Sequence, residues 1–197
     1  MPPPYPIEQI LIACALGREL DVLRGCLPAN LQFLRTGLGW NRSRRRLEQK
    51  ARQGRPAAII FAGTAGQLGP DVELGAVIFP ERWCFGDGRC YEQSSEMVPF
   101  LAARGFSAQG VGITLRSPVL QAGRRLRLHE ESGALICDME SAGVLAAGQQ
   151  LHIPTLALKV VSDTADSGIA GYWREFDANM ECLDEYLSRM IRALSTE

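Results

Sequence analysis

The chain has 197 residues, 46% of them hydrophobic and 22% charged, and a formal net charge of -1. That length suits one domain, 1–197, with a sizeable core. The near-neutral charge gives no global electrostatic reason to expect nucleic acid or a membrane surface as partner. No apolar run is long enough to insert into a membrane, and MPPPYPIEQ lacks the basic and apolar regions of a signal peptide, so it reads as a frayed leader stiffened by proline. The six cysteines (Cys14, Cys26, Cys84, Cys90, Cys137, Cys182) form no CxxC pair, which predicts reduced, buried thiols in a cytoplasmic protein. With His129 and His152 as the two histidines, a zinc or other metal site is not expected.

Ile7 to Ala15 is apolar enough for a strand buried on both faces. The helix after it repeats Leu16, Leu20, Leu23 and Leu27 on one face, with Glu19 on or beside that face. An acid at such a junction can serve a site, or can merely complement the helix N-terminus and touch solvent. Leu31 to Thr36 predicts a second strand, ended by the tight turn Gly37-Leu38-Gly39. Asn41 to about Gln53 is a densely basic helix that reads as a solvated face, since no aromatics interleave its arginines. Ala57 to Phe61 is a buried strand, and the small residues Gly63-Thr64-Ala65-Gly66 suggest a turn after it that can approach an anion or a hydroxyl-rich ligand. Leu74 to Phe79 predicts another strand. In 81–98, Trp83, Phe85 and Tyr91 surround Gly86-Asp87-Gly88, which predicts a hairpin with its aromatics in the core or at an oligomer interface. Met97 to Ala103 predicts a short helix, Gln109 to Leu115 a strand, and Val119 to Glu131 a basic helix.

The stretch from Ala134 to Asp166 reads as strand, helix, strand. Leu135-Ile136-Cys137 is followed by Asp138 where a helix N-cap belongs, and the helix runs to about Leu151. Pro154 closes the connection, and Thr155 to Val161 has the make-up of a buried strand. Glu140 then falls in the first helical turn and Asp163 just past the second strand. Ligands of open α/β sheets bind outside the carboxyl ends of the strands, so both acids point at a site. Trp173 to Leu194 keeps a three-four apolar spacing (Trp173, Phe176, Met180, Leu183, Leu187, Leu194) and predicts a helix covering the sheet. Strands alternating with helices make the fold α/β, with a largely parallel sheet flanked by helices.

The strand ends thus supply Glu19, Glu140 and Asp163 beside a small-residue segment, with no Ser-His-Asp set or Cys-His pair competing. Acids without a metal suit binding of sugar hydroxyls and proton transfer to a heterocycle or water. That fits cleavage of a glycosidic C–N bond, where a carboxylate steadies a ribosyl cation and a second acid assists the leaving base.

IACALGREL, TGLGW, FAGTAGQLGPDVELGAVIF, CDMESAGV and LALKVVSDTAD, in this order over most of residues 7 to 166, resemble motifs of the purine nucleoside phosphorylase and nucleosidase superfamily. The resemblance implies a three-layer sandwich with a mixed, largely parallel sheet. It also implies cleavage of an adenine-type purine nucleoside, foremost by hydrolysis, as in nucleosidases acting on methylthioadenosine and adenosylhomocysteine. It assigns Glu19 to the attacking water and Met139 and Glu140 to the ribose. Asp163 falls to the purine with Ser162 orienting it, and Gly63 and Thr64 lie near ribose and nucleophile. No cofactor is implied, and the expected assembly is a homodimer or larger. Three features depart from the pattern. Phe61 replaces the arginine of the phosphorylases, Lys159 replaces an arginine of the nucleosidases in the support of Asp163, and 81–98 is shorter than usual. Arg18 with Thr64 could still bind phosphate as co-substrate. A phosphorylase, including the adenosylhopane type, a futalosine hydrolase and a non-catalytic nucleoside binder therefore stay open.

Overall fold

The computed structural model describes residues 4–164 and 168–195. Met1 to Pro3 of the leader, and Ala165 and Asp166 at the end of the VVSDTAD motif, lie outside the described residues. Strand β1 (Ile10–Cys14) is buried throughout, preceded by a short 3-10 turn at Ile7–Gln9 where the strand was expected to begin. Its alternation splits the core: Ile10, Ile12 and Cys14 enter one apolar cluster, Leu11 and Ala13 the other. β1 pairs in parallel with β2 (Gln32–Arg35) and with β3 (Ala58–Gln67).

β3 is the hinge of the sheet and corrects one expectation. Gly63-Thr64-Ala65-Gly66 is not a turn but the second half of this strand, pairing in parallel with β9 (Thr155–Asp163). A bulge at Gly66 then lets Gly66 and Gln67 pair antiparallel with β8 (Ala134–Asp138). Two glycines in a strand weaken its rigidity, and here they allow it to bend and change partners. Beyond β8 follow β7 (Val111–Thr114) and β5 (Arg82–Phe85), both parallel. The antiparallel β6 (Cys90–Glu92) closes the predicted hairpin. β4 is shorter than expected (Val77–Ile78) and pairs antiparallel with β9. The sheet is mixed, mostly parallel and curled.

Helices α1 (Gly17–Cys26), α3 (Met97–Ala102) and α6 (Gly168–Leu194) cover one face, and α2 (Trp40–Gln53) and α5 (Ser141–Leu151) the other. α4 (Ala122–Ser132) packs against β8. Along α6, Phe176, Met180, Leu183, Leu187, Met190 and Leu194 are buried as the spacing predicts. Trp173 is not in that stripe. It is 54% exposed, because the helix there has run past the sheet edge to the mouth of the site described below.

The cysteines depart from expectation. The hairpin register sets Cys84 opposite Cys90, and the two form a disulfide. Cys14 and Cys137 are buried thiols, whereas Cys26 and Cys182 are exposed. Trp83 is fully buried and donates Nε1–H to Ala157 O, so that aromatic does belong to the core. Among the described residues no helix is long and apolar enough to cross a membrane.

Candidate active site

Glu19 stands in the first turn of α1, yet it is 2% exposed rather than solvated. Its Oε2 accepts the Leu16 N–H at 3.0 Å, the half of a capping box that Leu16 cannot reciprocate. Its Oε1 accepts both the N–H (2.9 Å) and the Oγ1–H (2.8 Å) of Thr64 on β3. A Cβ at Gly63 would fall 2.9 Å from that oxygen, so the missing side chain is what lets the carboxylate reach the strand. Oε1 has used both lone pairs, and Oε2 keeps one to accept a further proton.

The β8–α5 junction holds the second acid. Asp138 is the last residue of β8, and its carboxylate accepts the Ser141 N–H, so it caps α5 from beyond the formal N-cap position. The formal N-cap is Glu140, two residues later than the Asp138 the sequence suggested. Asp138 also accepts the Thr114 Oγ1–H at 2.8 Å and lies 3.3 Å from Lys159 Nζ. Glu140 is 4% exposed and accepts the Gly39 N–H at 2.7 Å, presented by a left-handed glycine (φ 89°) at the start of α2. Burial first, and the Asp138 charge second, push the Glu140 carboxyl up to about 7, with Lys159 and the Gly39 N–H pulling the other way.

This raised value has a sign. Folding favours the protonated form, so Glu140 costs nothing while it is protonated in both states. Stability is lost as pH rises from the ordinary 4.5 toward about 7. Glu140→Gln keeps the acceptor for Gly39 and removes the charge. It is expected to raise stability by about 1–3 kcal/mol at pH 8 while changing little near pH 4.5. Urea unfolding at the two pH values checks this, and a variant no more stable than wild type at pH 8 contradicts it.

Asp163 closes β9. Its Oδ1 lies 2.9 Å from Ser162 Oγ, whose hydroxyl is also 3.1 Å from Ala65 O. Support from position 159 is absent. Lys159 is 1% exposed, pairs with Asp138 and stands 4.1 Å over the Phe61 ring. Asp163 is instead held by Arg125 of α4, whose Nη2 donates to its Oδ2 and whose Nη1 donates to its backbone O. The basic run 119–131 was visible in the sequence, but nothing there distinguished the one arginine that turns inward.

Thr64, Met139, Glu140, Ser162 and Asp163 line one cavity of about 390 Å³. Glu19 and Gly63 lie just behind its wall at Leu16 and Thr64. Tyr172, which the sequence did not single out, also lines it. Its hydroxyl is buried without a hydrogen-bond partner among the described residues and is pushed up to about 12 by burial and by the Glu19 charge. The Thr64 hydroxyl nearby offsets part of that rise, but not in hydrogen-bond geometry. Arg18 does not join the cavity. It pairs with Asp177 at 2.8 Å and stacks over Phe176, with the ring of Trp173, a lining residue, 5.7 Å from its guanidinium. A larger cleft of about 750 Å³ beside the β5–β6 hairpin holds none of these acids, although it shares Leu115 and Ser117 with the site.

Solved structures share this architecture. A methylthioadenosine/adenosylhomocysteine nucleosidase from Helicobacter pylori superposes with a TM-score of 0.83 at 17% identity, over 94% of this chain and 98% of that one. A futalosine hydrolase from the same organism gives 0.83 at 17%, over 94% and 97%. The nucleosidase from Neisseria meningitidis, bound to methylthio-immucillin-A, gives 0.82 at 16%, over 94% and 99%. No curated protein sequence matches the chain. The family model of the phosphorylase superfamily matches residues 15–196, nearly the whole length, and the chain belongs to that superfamily.

Proposed function

We propose that this protein hydrolyses the N-glycosidic bond of a purine nucleoside. The observation that carries the reading is Glu19, a carboxylate buried and locked to Thr64 at the wall of the cavity that also holds Glu140 and Asp163. A proton acceptor kept dry beside a sugar-sized space is a general base in waiting. In the reaction, water adds to C1′ of the ribose and gives its proton to Glu19 Oε2. The C1′–N bond breaks with its electron pair on the purine, which takes a proton from solvent, and the Asp163 carboxylate accepts the hydrogen bond of the N–H so formed. Met139 and Glu140 hold the ribose, Glu140 binding its hydroxyls, and the carboxylate steadies the positive charge that develops on the sugar.

The names of the similar solved structures, nucleosidases and a futalosine hydrolase, support hydrolysis. So does Phe61, buried under Lys159 where the superfamily's phosphorylases carry an arginine. Leu38, Leu120 and Trp173, each more than half exposed at the cavity mouth, support a homodimer in which a second copy covers the rim. The free thiols Cys14, Cys26, Cys137 and Cys182 suit the reducing cytoplasm while the Cys84–Cys90 disulfide counts against it, and no cofactor enters the chemistry.

The test is free-base release from methylthioadenosine, adenosylhomocysteine, inosine and futalosine, each with and without phosphate. Release that does not depend on phosphate is expected. Release only with phosphate would make the protein a phosphorylase, and binding without release would make it a nucleoside-binding protein.

A further inference from the structure

Arg125 is 3% exposed, and its guanidinium is built into the site from three sides. Nε donates to Val119 O at 2.8 Å, and Nη1 donates to Gln67 O at 3.2 Å and to Asp163 O at 3.1 Å. Nη2 donates to Asp163 Oδ2. Of its five N–H groups, four are therefore used. The fifth, on Nη2, finds no acceptor among the described residues, and Arg125 lines the cavity beside Asp163. Gly66 gives the pair its room: a Cβ there would lie 3.3 Å from Arg125 Nη1, Asp163 Oδ2 and Cys137 Sγ.

Resting on the nucleoside-cleaving reading above, we infer that Arg125 selects 6-oxopurine over 6-aminopurine bases. Asp163 and Arg125 together offer the base an acceptor beside a donor. The N7–H and O6 edge of a leaving 6-oxopurine presents the complement, a donor beside an acceptor. A 6-aminopurine presents N–H donors at both places, so its amino group meets the guanidinium donor to donor and leaves a buried cationic N–H unpaired. The departing base adds a kinetic reason. As C1′–N breaks, the electron pair delocalises onto O6, next to the guanidinium, and this charge-assisted contact strengthens in the transition state. An adenine ring has no oxygen to carry that charge. The rigid fork also explains why arginine rather than lysine serves here.

The experiment compares kcat/KM for two pairs that share a sugar, inosine against adenosine and 5′-methylthioinosine against 5′-methylthioadenosine. It adds calorimetric binding of hypoxanthine and of adenine to the wild-type protein. A preference for the 6-oxo member of at least about 10-fold is expected, on the scale of one misplaced hydrogen bond to a charged group. In Arg125→Met the ratio is expected to fall toward one, with Arg125→Lys in between. A purely structural role would lower both substrates alike and leave the ratio unchanged. Should Arg125→Met not fold, the wild-type ratio and the two binding affinities still decide. A wild-type ratio near one or favouring adenine overturns the inference and leaves nucleoside cleavage standing. A 6-oxo preference that survives in folded Arg125→Met also overturns it. Neither release nor binding of any base would sink the cleavage reading and this inference with it.

Discussion

Glu19→Gln is expected to lower kcat by about 10³-fold, within the range that a single general base supplies, while nucleoside affinity changes less than about 3-fold. Glutamine matches the carboxylate in size, and its amide oxygen can still accept from Thr64 N–H and Oγ1–H, as Glu19 Oε1 does. What it lacks is the second oxygen. The amide nitrogen cannot accept the Leu16 N–H that Oε2 now takes at 3.0 Å, and it cannot take a proton from water. The fold should survive, because a helix-cap contact of this kind contributes only about 0.5–2 kcal/mol. Single-turnover base release and calorimetric binding on the same preparation separate the two effects. A variant within 10-fold of wild-type kcat would remove Glu19 from the chemistry and return it to a helix-capping role.

Lys159→Met should be the most destabilising single change near the site. Burial works against the Lys159 ammonium, but Asp138, Glu140 and Glu19 together outweigh it and hold the group charged. Removing the amine leaves Asp138, also buried, without its cation, and breaking one side of such a pair costs about 3–5 kcal/mol. For a chain of this length that corresponds to a fall in Tm on the order of 10 °C. Methionine fills a similar volume, so the loss is electrostatic rather than a cavity. A double-mutant cycle with Asp138→Asn tests that cause: the double variant should be more stable than the sum of the two single losses predicts. Lys159→Met within about 1 kcal/mol of wild type would show that Thr114 and Ser141 alone satisfy Asp138.

The elements that carry the site were legible because they rest on local patterns. β1, α5, β9 and α6 follow from apolar periodicity, and Glu19, Glu140 and Asp163 stand at the strand ends where the motifs put them. The errors share one physical origin, contacts between segments far apart in the chain. Gly63 to Gly66 looked like a turn because glycine marks turns. Its reason here is the approach of Glu19 from α1 and of Arg125 from α4 to the two sides of a continuing strand. Arg125 was one basic residue among many until α4 packed on β8. Lys159 stands where the resemblance has an arginine ahead of Asp163, but four residues of extended strand separate the two backbones by about 13 Å, and its ammonium pairs with Asp138 instead. Cys84 and Cys90 pair only through the hairpin register. Trp173 satisfies the helical stripe in spacing yet falls beyond the sheet it would cover.

The most direct test of Glu19-directed water attack is to run the reaction in ¹⁸O-labelled water and examine the released sugar by mass spectrometry. One labelled oxygen at C1 of free ribose, formed without phosphate and lost together with activity in Glu19→Gln, is the predicted result. A ribosyl phosphate with no label at C1, or labelled ribose formed equally fast by Glu19→Gln, would contradict it.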